Sequence, residues 1–368
     1  MKVALVYDRV NKWGGAERVL TALNEIFPEA PLFTAVYSFK KAKWAKIFPK
    51  VIPSFLQKIP LMQDKHEFLG TLTPLAFESF DFSEYDLVIS VTSEAAKGII
   101  TKPGTLHLCY CLTPTRYLWS AHDLYFKNPP SKFKFFPFFW HISRPLVWYL
   151  RNWDKVAANR PDVMLAISNA VKERIKKYYG RDSEVIFPPV EVEKFTGEVK
   201  KRGNFFLLVG RLIPYKRVDL AVMAFNRLGL PLVVVGKGSE EMKLKAMAKG
   251  NIKFKGELTE RELADYYRKC AALVLPQEED FGIAAVEAQA AGASVIAFKA
   301  GGALDTVIDG KTGVFFEKQT VSALCQAIKN FKKISFDAKI LKENAERFSK
   351  DRFKKEFLTL VAKISGKL

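Results

Sequence analysis

The chain has 368 residues, 49% of them hydrophobic, enough for two domains with cores of their own and too apolar for disorder to dominate. Its four cysteines, Cys109, Cys111, Cys270 and Cys325, lack the second close pair and the histidines of a zinc site, so reduced structural thiols in a cytoplasm are expected, without a disulfide framework. A formal charge of +19 invites nucleic acid, an anionic membrane or phosphorylated substrates as partners.

Residues 3–7 form an apolar run that meets Asp8 with no cleavage site after it, which reads as a buried strand and not a signal peptide. In NKWGGAERVLTALNEIF, Val19, Leu20, Leu23, Ile26 and Phe27 fall at helical spacing. Gly14 and Gly15 stand just before that helix, where they either let backbone approach a ligand or simply make a tight turn. Further strands are expected at 32–37, 87–91 and 106–111, completing a doubly wound parallel sheet. CLTPTRYLW then brings Arg116 and Tyr117 to the sheet edge, where Arg116 either contacts an anionic ligand or braces the loop.

Residues 127–181 hold 12 basic and 3 acidic side chains, so the charge of the first half is local. Within them KFKFFPFFWHISRPLVWYLRNW, residues 132–153, is crowded with aromatics and has no acid. Pro137 and Pro145 are expected to break it, and it is too charged to span a bilayer. Two readings fit: an interfacial membrane surface, or a helical pair packing its aromatics on the first domain. A strand at 163–167 leads to a helix that Ser168 or Asn169 can cap. EVIFPPVEVEKF, 184–195, is expected to link the domains, giving 1–188 (completed by 350–368) and 189–349.

In the second domain, strands are expected at 205–210, 231–235, 252–254, 271–275 and near Ser294. Arg211 and Lys216 leave the first of them on a loop closed by Pro214, where two cations can clamp a diphosphate. Lys237 and Leu258 follow the next two strands at the same edge. QEEDFGIAAVEAQAAGA, 277–293, runs from strand to acidic loop to helix. Glu279 in the loop and Glu287 in the helix either meet one extended ligand at two points or serve as a helix-start acid and a solvated one. The amides of Phe281, Gly282 and Ile283 suit a phosphate at that helix start. GGALDTVIDGKTGVFF, 301–316, reads as a glycine turn and a hairpin.

GRLIPYKRVDLAVMAF, the Glu279 to Glu287 spacing and GGALDTVIDGKTG together resemble the retaining glycosyltransferases of family 4. GGAERVL, TP-x-RYLW, PPV and FSKDRFKKEF extend the likeness over nearly the whole chain, toward a bacterial subgroup of GDP-mannose-dependent mannosyltransferases of cell-surface polysaccharide synthesis. The resemblance implies the α/β GT-B fold: two Rossmann-like domains facing each other across a hinged cleft, with the C-terminal helix crossing back to the first. It implies that Arg211 and Lys216 neutralise the donor diphosphate and that Glu279 holds the sugar hydroxyls. The amides of Phe281, Gly282 and Ile283 would meet phosphate or sugar, Glu287 the ribose and the Leu258 backbone the base. Gly14 and Gly15 would let the first domain approach the diphosphate, and Arg116 and Tyr117 would lie on the acceptor side. One departure stands out: Leu112 occupies the position where the family run C-Y-C-H-T-P has a histidine that approaches the sugar. His107, five residues earlier and facing the other way, does not replace it.

The expected activity is therefore transfer of a sugar, mannose from GDP-mannose, to a lipid-linked or cell-surface glycan. The protein is expected to be peripheral on the inner face of the membrane, with no metal or cofactor required and no nucleic acid as partner. The alternatives are a UDP-sugar-dependent transferase of the same fold and a sugar-nucleotide-binding protein with reduced turnover.

Overall fold

The computed structural model describes residues 1–59, 70–120, 122–123, 139–197 and 202–366. The chain divides into two compact units, residues 1–186 with 354–368, and residues 187–353.

The first unit is built on a seven-stranded sheet whose strands are β1 (Val3–Tyr7), β2 (Leu32–Thr34), β3 (Val51–Pro53), β4 (Leu87–Thr92), β5 (Leu106–Cys111), β6 (Val163–Ala166) and β7 (Glu184–Val185). All pair in parallel, in the order β3-β2-β1-β4-β5-β6-β7. Every residue of β1 and β4 is buried, because helices cover both faces of a parallel sheet and its central strands are apolar throughout. Burial of each Val, Leu or Ile side chain contributes about 1.5–3 kcal/mol, so β1, β4 and β5 are the anchors of this unit. The three residues of β3 end in Pro53, which a sheet tolerates only at its edge. That strand is too short and too interrupted to stand out as an apolar run.

The second unit carries six parallel strands: β8 (Phe206–Val209), β9 (Leu232–Val235), β10 (Ile252–Gly256), β11 (Ala272–Leu275), β12 (Ser294–Phe298) and β13 (Gly313–Phe316). Their order is β10-β9-β8-β11-β12-β13. Phe206, Leu208, Val234, Val274 and Ile296 pack with Phe225 of helix Val218–Leu228 and Ile328 of helix Val321–Phe331 to make its core. In each sheet the first strand lies centrally and the order reverses beside it. The reversals fall between β1 and β4 and between β8 and β11, and ligands of doubly wound sheets bind outside the carboxyl ends of strands at such points.

Two expectations are corrected. Residues 301–316 make no hairpin: Ala303–Thr306 is a helical turn, and β13 pairs parallel to β12. The glycine turn therefore feeds a short crossover that continues the parallel sheet. Pro145 does not break its segment but lies inside a continuous helix, Phe139–Ala157. Its ring is on an exposed face, where water can satisfy the carbonyl that loses a partner, while Leu150 and Ala157 are buried and hold the helix to the unit. Residues 132–138 lie outside the described residues, and side chains are described from Arg144 onward. The C-terminal helix, Lys350–Ser365, starts in the second unit and continues into the first, where Lys354 pairs with Glu25.

Candidate active site

Two loops of the second unit leave the strands that flank its switch point. The one after β8 holds Arg211 and then a single tight turn, Pro214–Lys216, that delivers Lys216 beside the loop after β11. Arg217 completes the turn in the left-handed region, φ 49°, the one such non-glycine among the described residues. Conformations of that kind cost on the order of 1–3 kcal/mol and persist where their surroundings hold them. Here Arg217 reaches Asp219 and Gln319, both at 3.4 Å, and Gln319 Nε2 donates to Pro276 O at 2.9 Å. The β8 loop is thus tied through Gln319 to the β11 loop.

At the junction Lys216 Nζ donates to both oxygens of Glu279, at 2.6 and 2.7 Å. Gln277 Nε2 donates to the same carboxylate. Arg211 donates to the Tyr215 hydroxyl, and both Arg211 and Lys216 lie over the Tyr215 ring, at 5.9 and 5.7 Å from its centre. Two cations, one carboxylate and one phenol therefore share a few ångströms at the carboxyl edge of the sheet.

The helix Ile283–Ala290 begins at Gly282 without a side-chain cap, and its ladder opens with Ala285 donating to Gly282 O at 2.9 Å. The amides of Phe281, Gly282 and Ile283 thus precede the ladder at the positive end of the helix. Phe281 is buried between the rings of Phe187 and Phe348, which fixes the loop from below. From the side it is fixed by Gly301 and Gly302. Gly301 has φ 64°, and a Cβ there would stand 2.2 Å from Glu279 O. Gly302 donates to that oxygen at 2.8 Å. Only glycine fits so close an approach, so GGALD is the buttress of the acidic loop.

Glu287 is not a solvated helix residue. It is 4% exposed and accepts the Tyr267 hydroxyl at 2.9 Å. Leu258 lies half-buried in the loop after β10. The structure brings together Arg211, Lys216 and Glu279, with Phe281, Gly282 and Ile283 following Glu279 in the same loop. Gln277, Arg217, Gln319 and Tyr267 complete the set and were not legible as site residues. Gln277 was the nearest to being so, since it heads the acidic loop; Gln319 is separated from that loop in sequence and meets it only through the fold, as Tyr267 meets Glu287 of the helix that follows.

At the switch point of the first unit, Asp8 is buried and accepts Thr92 Oγ1 at 2.8 Å and the amides of Ser93 and Ala96 at 2.7 and 2.9 Å, tying β1 to the loop after β4. Burial, then the charge of Glu94, raises its carboxyl above the usual range. Gly14 precedes the helix Gly15–Ile26 without a side-chain cap, and Gly15 is exposed. Glu17 is buried and takes the Tyr7 hydroxyl at 2.7 Å. Leu112 follows β5, its amide on Thr92 O at 2.8 Å.

Arg116 and Tyr117 ride a loop fastened to one buried carboxylate. Asp154 accepts Lys97 Nζ at 2.5 Å, Trp119 Nε1 at 2.7 Å, Tyr179 Oη at 2.8 Å and Thr115 Oγ1 at 3.0 Å. Lys97 and Asp154 are each 1% exposed. Burial, then the charges of Glu94 and Asp154, holds the Tyr117 phenol well above its ordinary pKa, so it stays a hydrogen-bond donor. The four cysteines are buried and none is in a disulfide, and burial pushes the Cys109 and Cys270 thiols up to about 11 and about 12. Among the described residues no three His, Cys, Asp or Glu side chains converge as a metal-holding group.

Residues 190–348 match the family of glycosyl transferases group 1. The chain is 31% identical over 205 residues to an uncharacterized glycosyltransferase of Methanocaldococcus jannaschii, covering 54% of this chain and 58% of the relative. It is 31% identical over 176 residues to the O-antigen chain mannosyltransferase RfbU of Salmonella typhimurium, covering 44% and 48%. The chain thus spans about half the length of these curated relatives. Over 98% of this chain and 99% of the other, the fold is similar to that of HepE from Anabaena, solved in complex with UDP and glucose, with TM-score 0.70 and 18% identity. The fold is therefore GT-B, two Rossmann-like α/β domains.

Proposed function

We propose that this protein is a retaining glycosyltransferase that moves mannose from GDP-mannose to a hydroxyl of a lipid-linked or cell-surface glycan. The observation that carries the reading is the meeting of Arg211, Lys216 and Glu279 with a helix start at the switch point of the second sheet, inside the segment that matches the glycosyl transferase family. Arg211 and Lys216 take the diphosphate, and the amides of Phe281, Gly282 and Ile283 add the positive end of the helix. Glu279 holds the sugar hydroxyls, Glu287 the ribose and the Leu258 backbone the base. Gly14 and Gly15 leave room for the diphosphate, and Arg116 and Tyr117 face the acceptor. The C1–phosphate bond breaks as the acceptor oxygen bonds to C1 on the same face, and the acceptor's proton passes to the departing diphosphate. Negative charge grows on that leaving group, and cations already in place stabilise it, typically by ~2.7–4 kcal/mol for one well-aimed donor. In this scheme side chains and amides carry that charge without a metal.

Mannose and the glycan acceptor are supported by the motif set and by the similarity to an O-antigen mannosyltransferase. A UDP-sugar donor is the second reading, favoured by the similarity to a protein solved with UDP and glucose. A sugar-nucleotide binder with reduced turnover is a third, favoured by Leu112. Peripheral membrane attachment is part of the proposal: helix Phe139–Ala157 buries Leu150, Asp154 and Ala157 and leaves Trp148, Tyr149 and Val156 exposed. One face of its described part packs on the first unit, as a single helix and not a helical pair, and the aromatics exposed on the other face support the membrane reading. No helix among the described residues is long and apolar enough to cross a membrane. The test is transfer of labelled mannose from GDP-mannose into lipid extracts of cell membranes, with the anomeric configuration of the product read by NMR. Label in a lipid-linked glycan with the donor's configuration is expected; label from UDP-sugars alone would reject GDP-mannose, and an inverted product would reject the retaining mechanism.

A further inference from the structure

Two groups assigned above to different parts of one ligand are engaged with each other. Lys216 Nζ lies 2.6 and 2.7 Å from the two oxygens of Glu279, and Gln277 donates to Oε1 as well. The side chains are 15% and 19% exposed, so solvent screens the pair only in part. While it is closed, the lysine's charge is cancelled and the carboxylate's two oxygens are engaged by one cation and one amide, leaving little for a neutral hydroxyl to win.

We propose that the Lys216–Glu279 pair is a lock that makes recognition of the sugar conditional on arrival of the diphosphate. The inference rests on the nucleotide-sugar reading of this site. A diphosphate carries more than one negative charge and can take two cations at once, Lys216 and its neighbour Arg211 across the Tyr215 ring. It therefore displaces a single carboxylate from the lysine. Glu279 is then released to accept hydroxyls, with Gln277 still on Oε1 to keep the carboxylate aimed. No covalent bond changes in this exchange. Because binding energies are reciprocal, the sugar must in turn strengthen the hold on the diphosphate. A free hexose alone meets a closed pair and binds poorly, which gives the site selectivity for activated sugars over the free sugars around them.

The lock makes an uncommon prediction, that removing a proposed ligand-binding carboxylate tightens another ligand. Binding of GDP, UDP and inorganic pyrophosphate is measured by calorimetry to the full chain and to Glu279→Gln, Lys216→Met, the double variant and Glu278→Gln. Glu278 is exposed in the same loop and is not the carboxylate that holds Lys216, so its variant removes the same charge and leaves the Lys216–Glu279 hydrogen bonds in place. Glu279→Gln is expected to bind pyrophosphate and the preferred nucleotide roughly fivefold or more tightly than the parent. That gain should vanish in the Lys216→Met background and be absent in Glu278→Gln. In the parent, saturating pyrophosphate should also tighten binding of free mannose, and in Glu279→Gln it should not. Should Glu279→Gln melt far below the parent, Glu279→Ala repeats the comparison. An equal gain in Glu278→Gln would reduce the effect to general field and overturn the lock. Nucleotide binding by the parent with no gain in Glu279→Gln would overturn the lock and leave the nucleotide-sugar reading standing. Absence of nucleotide binding in both proteins would overturn that reading and the lock with it.

Discussion

Lys216 owes its position to neighbours that sequence could not place beside it. The PYKR run marks a turn with two cations, but only the fold shows that Gln319 grips Arg217 and so turns Lys216 onto Glu279. As a partly exposed pair it contributes on the order of 1 kcal/mol to stability, whereas a cation on a departing diphosphate accounts for roughly 10²–10³ in rate. Lys216→Ala is therefore expected to lower transfer by about that factor while the melting temperature moves by only a few degrees; a variant with full turnover would remove Lys216 from the site. His107 shows the opposite division of labour. It is fully buried in β5, its Nε2 2.8 Å from Ser90 Oγ, and among the described residues its Nδ1 has no partner. Burial, then Arg160 and Arg181, lowers its pKa from 6.5 to about 3. The unfolded chain takes up a proton near pH 6.5 that the folded chain refuses until about pH 3, so this contribution is whole above 6.5 and is lost as pH falls through that window. Relative to His107→Gln, the parent should lose about 2 kcal/mol between pH 7 and pH 5 in urea unfolding. Parallel pH profiles would show that His107 charges freely in the folded state. Facing was enough to separate His107 from position 112 in the sequence, but its burial was not visible there.

Among the elements, the acidic loop and its glycine buttress carry the site, and their meeting was the least legible feature. The GG of 301–302 reads as a turn, and nothing in its spacing shows that the turn lies against Glu279 and Phe281. A Cβ on Gly302 would stand 2.2 Å from Phe281 Cα, a backbone atom that can yield only by moving the loop. Gly302→Ala should cost ~1–3 kcal/mol of stability and, by shifting the helix start, weaken nucleotide binding by a larger factor than an exposed control such as Gly310→Ala. Equal affinities would mean that the loop adapts. In the first unit the corresponding fixture is Asp154, whose donors come from positions 97, 115, 119 and 179, too scattered for any motif to reveal. Lys97→Met leaves that carboxylate buried without its cation and is expected to cost ~3–5 kcal/mol. Adding Asp154→Asn removes the charge but keeps an acceptor, and should recover most of the loss in chemical denaturation. If the double variant is no better than the single, charge compensation is not what Lys97 supplies. Strands were legible because a parallel sheet buries both faces and leaves unbroken apolar runs. Edge strand β3 and the helix through Pro145 were not, since short length and a proline both erase the local signal.

At the scale of the whole molecule, both sheets reverse strand order beside their first strand, and in the second unit Arg211, Lys216 and Glu279 lie on the loops that leave the two strands flanking that reversal. Strand periodicity and the helical stretches between the strands supplied the doubly wound parallel plan but not the strand order; the motif resemblance added the GT-B arrangement, and the donor sugar lies beyond both. Net charge is the property that sequence shows most directly, +19, and its use depends on where it lies. Arg151 and Lys155 stand over the Trp119 ring at 5.5 Å, on the helix that exposes Trp148 and Tyr149. Trp148→Ala combined with Arg144→Ala should weaken sedimentation with vesicles containing anionic lipid, and more at high salt. Unchanged sedimentation would place the membrane surface elsewhere.

The central claim is that the second unit holds a nucleoside diphosphate sugar, and the measurement that tests it most directly is thermal stabilisation of the full chain by a panel of nucleotides and sugar nucleotides. A ligand that binds only the folded state at a hundredfold excess over Kd adds ~2.7 kcal/mol. GDP and GDP-mannose are predicted to raise the melting temperature most, with the rise lost in Lys216→Ala. A rise with UDP compounds alone would keep the site and replace the donor, and no rise with any nucleotide diphosphate would contradict the account.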